Sequence, residues 1–432
     1  MDRKLLIVNV AALGYDLLRT ADRLDWQGLT FLPSAAVFPA VTCTAQASLR
    51  TAQLPAGHGM VANGRYFRDL RKVMFWEQSA RLVEGERIWS TFRENGGRVG
   101  MMFWQQSMGE EVDLLLTPAP IHTHGGGMVM DCYSLPATLY PELVRRMGGK
   151  FKLHRYWGPL AHAKVGDWIA ASVAEVLHDP QLRPDLLLTY LPSLDYDLQR
   201  VGPDHPPAVA ALDRTFQQLE TLLTAARRSG HEVLIVGDYA IAPADEGGAT
   251  YPNRVLADAG LLTLRDVAGR LYPDLHRSSA FAMVDHEIAH VYIPDRRDIE
   301  RVEAVLSEVA GVEEILGGAD KAKRGLDHPN SGELVLIAAA NTWLAYPWWT
   351  GKRHAPDFAR HIDIHNKPGF DPCELFFGWP PVSVSQDTTR IGGTHGRVGP
   401  GREVAYATTL PLSSQPADLV DLSQFVRAWL EG

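Results

Sequence analysis

Cysteine is scarce in this chain, and the scarcity excludes a good deal. The three thiols among 432 residues, Cys43, Cys132 and Cys373, are odd in number and match no metal-binding spacing, so neither a disulfide framework nor a thiolate metal site is expected. Such usage suits a reducing cytoplasm, which is the expected compartment. Basic charge is short as well. The net charge is −9 and no Lys/Arg run stands out, which leaves no electrostatic footprint for nucleic acid. An anionic substrate would then need positive charge focused locally, and metal ions are the expected source. Long apolar runs are missing too, so no bilayer span and no membrane partner are expected. The opening segment MDRKLLIVNVAALGYDLL places a short apolar run behind charged residues, but Asn9 interrupts it and Asp16 follows closely. It reads as a first core strand rather than a signal peptide. There is no internal repeat and no low-complexity tract.

What is present fits a large enzyme. With 46% hydrophobic and 22% charged residues, the chain can bury a sizeable core and exceeds the usual single-domain length, so one large domain with an insertion is expected. Apolar, β-rich runs at Leu5–Val10, Val99–Phe103, Val112–Leu116, Asp185–Leu191 and Glu232–Val236 alternate with helical periodicity over Ala163–Leu177 and Pro207–Arg228. That alternation predicts an α/β fold with a largely parallel central sheet covered by helices on both faces, and ligands at the carboxyl ends of its strands. From residue 246 to 389 the rhythm changes. Strands at Ala280–Val284, Ala289–Ile293, Val312–Leu316 and Glu333–Ile337, with a helix over Arg297–Val309, predict an inserted α+β cap. The segment Pro347–Leu375 reads as a long structured loop. Residues 1–245 and 390–432 are then two parts of one core.

Three positions carry chemistry on this scaffold. FPAV reads as an extended approach to Thr42, and Cys43 to Thr51 suit a helix, so Thr42 is expected at an N-cap, in front of free N–H groups and the positive end of a helix dipole. Anions bind readily there. Asp195, in LPSLDYDLQRVGPD, falls just past one buried strand, and Asp238, in LIVGDYAI, directly at the end of another. Carboxylates at the mouth of a parallel sheet suit a divalent cation, although each taken alone is an ordinary turn or cap residue.

The stretch PAVTCTAQASLRTAQLPAGHGMVANG resembles the nucleophile region of the nucleotide pyrophosphatase/phosphodiesterase family of the alkaline phosphatase superfamily. In that family a threonine heads a helix and is followed by a P-x-x-HG-x-x-x-N element, here Pro55, His58, Gly59 and Asn63. The resemblance extends to Asp195, Gln199, Gly202 and Pro203, to Gly237–Ala240, and to GTHGRVG, which puts His395 on the final metal-binding histidine. It implies an alkaline phosphatase-like core and a phosphoric-ester hydrolase. Thr42 would be the nucleophile, Asn63 would contact a phosphoryl oxygen, and Asp195, Asp238, His395 and Thr42 would hold divalent metal. Zinc is the implied ion, with manganese or magnesium as alternatives, and one or two ions in number. The substrate implied is a small phosphoester or nucleotide.

The chain departs from that pattern at the ligands. Gln199 and Tyr239 stand where the family has histidines. Ala45 and Gln46 replace an Asn-His pair, and the aspartate after the first strand is missing, leaving Ala11 near its place and Asn9 on the same strand face. Asn9 and Gln199 are therefore weaker candidate ligands, and the loop carrying His361, Asp363 and His365 is expected to supply replacements, Asp363 and His365 pointing the same way if extended. Asp285, His286 and His290 are further candidates. His122 and His124 read as turn residues, and Phe103 or Trp104 as core aromatics that could alternatively stack on a flat substrate group. Two other functions are consistent with the sequence. One is carbon–phosphorus hydrolysis of the phosphonoacetate hydrolase kind, which a clamp from Arg324, Lys352 or Arg353 would favour; the other is a non-catalytic accessory protein that lost its histidines.

Overall fold

The computed structural model describes residues 3–125, 127–244 and 248–432. The expected junction at 245/246 between core and cap lies outside the described residues. An eight-stranded sheet organises the chain, built from β1 (Leu5–Val10), β2 (Leu32–Ser34), β3 (Val99–Met102), β4 (Leu114–Pro118), β5 (Cys132–Leu135), β6 (Leu186–Leu191), β7 (Glu232–Gly237) and, near the end of the chain, Val404–Thr408. Its order is β5-β4-β3-β6-β1-β7, then Val404–Thr408, then β2. The five strands from β4 to β7 run parallel, and each flanking strand pairs antiparallel with its inner neighbour.

The sequence explains the layering. β1 is LLIVNV and buried throughout, as a strand covered on both faces must be. Leu6, Val8 and Val10 pack on one face with helices α2 (Lys164–His178) and α4 (Pro206–Ser229). Leu5 and Ile7 alternate onto the other face, against α1 (Thr42–Thr51) and the C-terminal helix Leu419–Glu431. α4 begins with Pro206 in its first turn and ends at Gly230, whose φ of 73° closes the helix in the left-handed conformation. Between α2 and α4 runs the short α3 (Ser193–Val201), which leaves the carboxyl end of β6.

The inserted region forms a separate antiparallel sheet of β8 (Phe281–Asp285), β9 (Ile288–Tyr292), β10 (Val312–Leu316) and β11 (Leu334–Ala338), in the order β8-β9-β11-β10. It has its own apolar core, to which Phe281, Met283, Val291 and Leu336 contribute. The helix expected over Arg297–Val309 is shorter, Ile299–Ser307, because a 3-10 turn at Arg296–Asp298, capped by Asp295, precedes it. The segment 347–375 is the long loop expected, punctuated by 3-10 turns at Lys352–His354, Asp357–Arg360 and Pro372–Leu375. Among the described residues no helix is long and apolar enough to cross a membrane.

Candidate active site

Thr42 is the first helical residue of α1 rather than its cap; Val41, with φ −135° and ψ 155°, occupies the cap position. Valine has no side-chain acceptor to satisfy the exposed helix donors, and a more distant residue supplies one: the amide oxygen of Asn63 accepts from the backbone N–H of Cys43 at 3.0 Å. The Thr42 hydroxyl is thereby released from capping. It lies 3.4 Å from the Tyr190 hydroxyl, at the end of β6, and beside Tyr239, whose phenol burial pushes well above its usual range with the Thr42 hydroxyl only partly opposing the rise. Thr42 is only 2% exposed.

Tyr239 is the hub of the cluster. Its hydroxyl donates to Oδ1 of Asp195 at 3.0 Å, and the amide of Gln199 donates to Oδ2 of the same carboxylate at 2.6 Å. Gln199 reaches Asp195 because the two are four residues apart on α3 and so share a helix face. Burial pushes the Asp195 carboxyl up, and the bonds from Gln199 and Tyr239 pull it back, leaving it at about 6. The Tyr239 ring stacks on His395 with centroids 3.5 Å apart and planes 6° from parallel. His395 Nδ1 is 2.8 Å from the carbonyl of Ala40, and burial keeps this imidazole well below its usual range, hence neutral.

Asp238 immediately precedes Tyr239. One of its oxygens accepts from the backbone N–H groups of Ala12 and Tyr239, while Oδ2 is buried without a partner. Burial drives this carboxyl well above the usual carboxylate range, against the backbone N–H groups of Ala12 and Tyr239, which favour its charged form. Asn9 sits on the neighbouring strand, its amide donating to Val236 O at 3.1 Å and its oxygen accepting from Gln46 at 2.8 Å. Gln46 in turn accepts from the backbone N–H of Gln105 at 2.8 Å. Thr42, Asp195, Asp238 and His395 are thus brought around Tyr239 although the sequence scatters them over more than 350 residues, since the ends of β1, β6 and β7 open on one edge of the sheet.

The cap contributes what the sequence left undecided. The tight turn between β8 and β9 places His286 at φ 61° and carries Asp285 and His286 down to the cluster. Asp285 accepts from the Asn63 backbone at 2.7 Å and from its side chain at 3.2 Å, so the residue that caps α1 is itself held by the cap domain. The His286 ring lies 3.7 Å from that of His395 on one side and 3.7 Å from Phe370 on the other, with Nδ1 2.7 Å from Asp285. Only the adjacency of Asp285 to His286, and not their partners, was visible in the sequence.

The other candidates lie elsewhere. The Asp363 carboxylate accepts from Asn366, and His365 Nδ1 is 3.0 Å from Phe75 O, so the loop expected to supply ligands has its side chains engaged within the scaffold. His361, His122 and His124 are exposed. His290 is fixed by Val61 O, 3.0 Å away, and by Gly332 N. Phe103 and Trp104 are buried, Phe103 packing on Phe151 and Trp168, so neither faces a substrate. Arg324 pairs with Glu314 at the surface, and Lys352 and Arg353 are exposed, so no cationic clamp closes on Thr42.

Two divalent ions do not fit this set. Among the described residues no three His, Cys, Asp or Glu side chains are grouped to hold a metal. Both oxygens of Asp195 already accept hydrogen bonds, Asn9 is committed to Gln46, and His395 is the single imidazole left at the family's ligand positions. Asp195 and Asp238, the two carboxylates at those positions, cannot by themselves balance the charge of two such ions.

A doubly covered, mostly parallel sheet with a threonine-headed helix at its carboxyl edge and an inserted cap is the architecture of the alkaline phosphatase superfamily. The chain is similar to phosphonoacetate hydrolase from Sinorhizobium meliloti 1021, solved with phosphonoformate, at 15% identity and a TM-score of 0.62, with 100% of this chain and 96% of that one covered. It is also similar to murine and human ectonucleotide pyrophosphatase/phosphodiesterase 5, each at 14% identity, with TM-scores of 0.59 and 0.62 and with 99% of this chain and 95% of each of those covered. No curated protein matches the sequence. The family model for type I phosphodiesterase / nucleotide pyrophosphatase matches residues 21–371, and the chain belongs to that family.

Proposed function

We propose that this protein hydrolyses a small-molecule phosphoric ester or anhydride, with Thr42 as the group that attacks phosphorus. The observation that carries the reading is the hydroxyl of Thr42, freed from capping at the head of α1 and set beside a line of hydroxyls that ends on the Asp195 carboxylate. As the Thr42 oxygen bonds to phosphorus, its proton passes to the Tyr239 oxygen while the Tyr239 proton passes to Asp195, and the ester oxygen departs with its electron pair. Water then attacks the phosphothreonine and restores the hydroxyl. The positive end of α1 and the Asn63 side chain, steadied by Asp285, would face the phosphoryl oxygens. An inactive threonine-to-alanine form of the murine neighbour was solved in complex with AMP, which supports both a threonine and a nucleotide-like ligand for the fold.

A second reading, a non-catalytic binding protein, draws support from one specific feature. Thr42, Asp195, Gln199, Tyr239 and His395 are all buried, and the charge of Asp195 is already satisfied. Carbon–phosphorus hydrolysis lacks comparable support, because the cations that would grip a second acid group stay at the surface.

Turnover of a nitrophenyl phosphodiester separates the first two readings, and its pH dependence tests the proton path. Asp195 faces Tyr239, Gln199 and Arg200 and must be ionised to accept a proton, so the rate should fall as pH drops through about 6. Tyr239→Phe, which removes the relaying hydroxyl, should lower kcat by about 10²-fold or more. A wild-type profile flat between about pH 5 and 8 would remove Asp195 from the proton path.

A further inference from the structure

The polar residues at which this chain departs from its family fall into two hydrogen-bonded groups. Gln199 and Tyr239, in place of two histidines, each donate to one oxygen of Asp195, so that both of its oxygens are met. Gln46, in place of half of an Asn-His pair, donates to Asn9, the polar residue nearest the missing strand aspartate, and its own carbonyl accepts from Gln105 N. Piecemeal loss of ligands would leave Asp195 as an ionised, buried and unpaired group, which is strongly unfavourable. Donors stand there instead.

We infer that this site has been rebuilt around hydrogen bonds rather than left decayed, with Gln199 and Tyr239 taking over the neutralisation of Asp195 from a divalent cation, and that the protein takes up no stoichiometric metal at this position. The geometry gives three supports. An N–H and an O–H donor are compact enough to sit within 3.0 Å of a carboxylate on each side. Tyr239 stacks flat on His395, which fixes the phenol in place with its hydroxyl on Asp195. Asn9 and Gln46 form a neutral amide pair where a carboxylate ligand would otherwise be, so that position adds no negative charge to hold an ion. Gln199 is a positioning residue in this scheme, holding Asp195, while Tyr239 both holds Asp195 and carries the proton away from Thr42.

The test is metal content, read independently of turnover, so that a protein without hydrolase activity would leave this inference standing or falling by itself. Wild-type protein, produced in zinc- and manganese-supplemented medium and washed on a desalting column, is analysed by plasma mass spectrometry, and its Tm is recorded with EDTA and with added zinc. The expected result is below about 0.1 ion per chain and a Tm moved by less than about 1 °C by either addition, since nothing binds the folded state selectively. The double variant Gln199→His/Tyr239→His returns two imidazoles beside Asp195 and His395 and should acquire about one zinc per chain, with a Tm that rises on zinc addition. Wild-type protein that retains about one ion through the wash, or loses stability with EDTA, overturns the inference. A double variant that folds yet stays free of zinc overturns the assignment to these two positions. Should that variant fail to fold, the wild-type measurement decides.

Discussion

Thr42→Ala is expected to abolish turnover of a nitrophenyl phosphodiester, lowering kcat by at least about 10³-fold, because removal of a nucleophile leaves only positioning and charge stabilisation. The loss should be confined to chemistry. Asn63 and not Thr42 meets the exposed N–H of α1, so the helix keeps its cap and the alanine variant should lose little stability. Thr42→Ser keeps the oxygen and should keep part of the rate, with extra rotamer freedom at the lost methyl group as its handicap. Near-normal turnover in the alanine variant would remove Thr42 from the reaction, and the binding-protein reading would then be the better account.

The largest effect on stability is expected at Lys367. It is 1% exposed, and its ammonium lies 2.8 Å from Asp371 and 2.6 Å from Glu374, with the Trp157 indole donating to the same Glu374. Burial opposes its charge, yet the two carboxylates hold its pKa above the usual lysine range. Lys367→Ala would leave the buried Glu374 and the half-buried Asp371 facing each other with no cation between them, which costs about 3–5 kcal/mol. Chemical denaturation of the variant should show a loss of that order. The same cluster anchors Phe370 against His286 and so ties the long loop to the hairpin that holds Asn63. A change below about 1 kcal/mol would mean that the cluster is solvated in solution.

The core was legible because its physics is local. β1 falls where the apolar run lies and Val312–Leu316 on its expected bounds, and the parallel order follows from strands that alternate with helices. Thr42, Asp195, Asp238 and His395 were legible as motif positions, and strand-end convergence brings them together. What stayed hidden depends on long-range pairing. Nothing in the spacing of Asn63 and Asp285 says that they meet, since the β8–β9 turn delivers one to the other across 222 positions. Gln199 and Tyr239 looked like losses because a sequence shows a missing imidazole and not the hydrogen bond that replaces it. Asp363 and His365 looked recruitable for the same reason: composition marks a ligand-like loop, whereas the buried Lys367 that fixes it as scaffold appears only once Asp371 and Glu374 are seen around it.

The most direct measurement is peptide mass spectrometry of EDTA-treated wild-type protein quenched in acid during reaction with a nitrophenyl phosphodiester. The account predicts a phosphoryl ester on Thr42, present without added metal and missing from Thr42→Ala. Absence of any adduct together with absence of turnover, or an adduct that forms only when zinc or manganese is supplied, would contradict it.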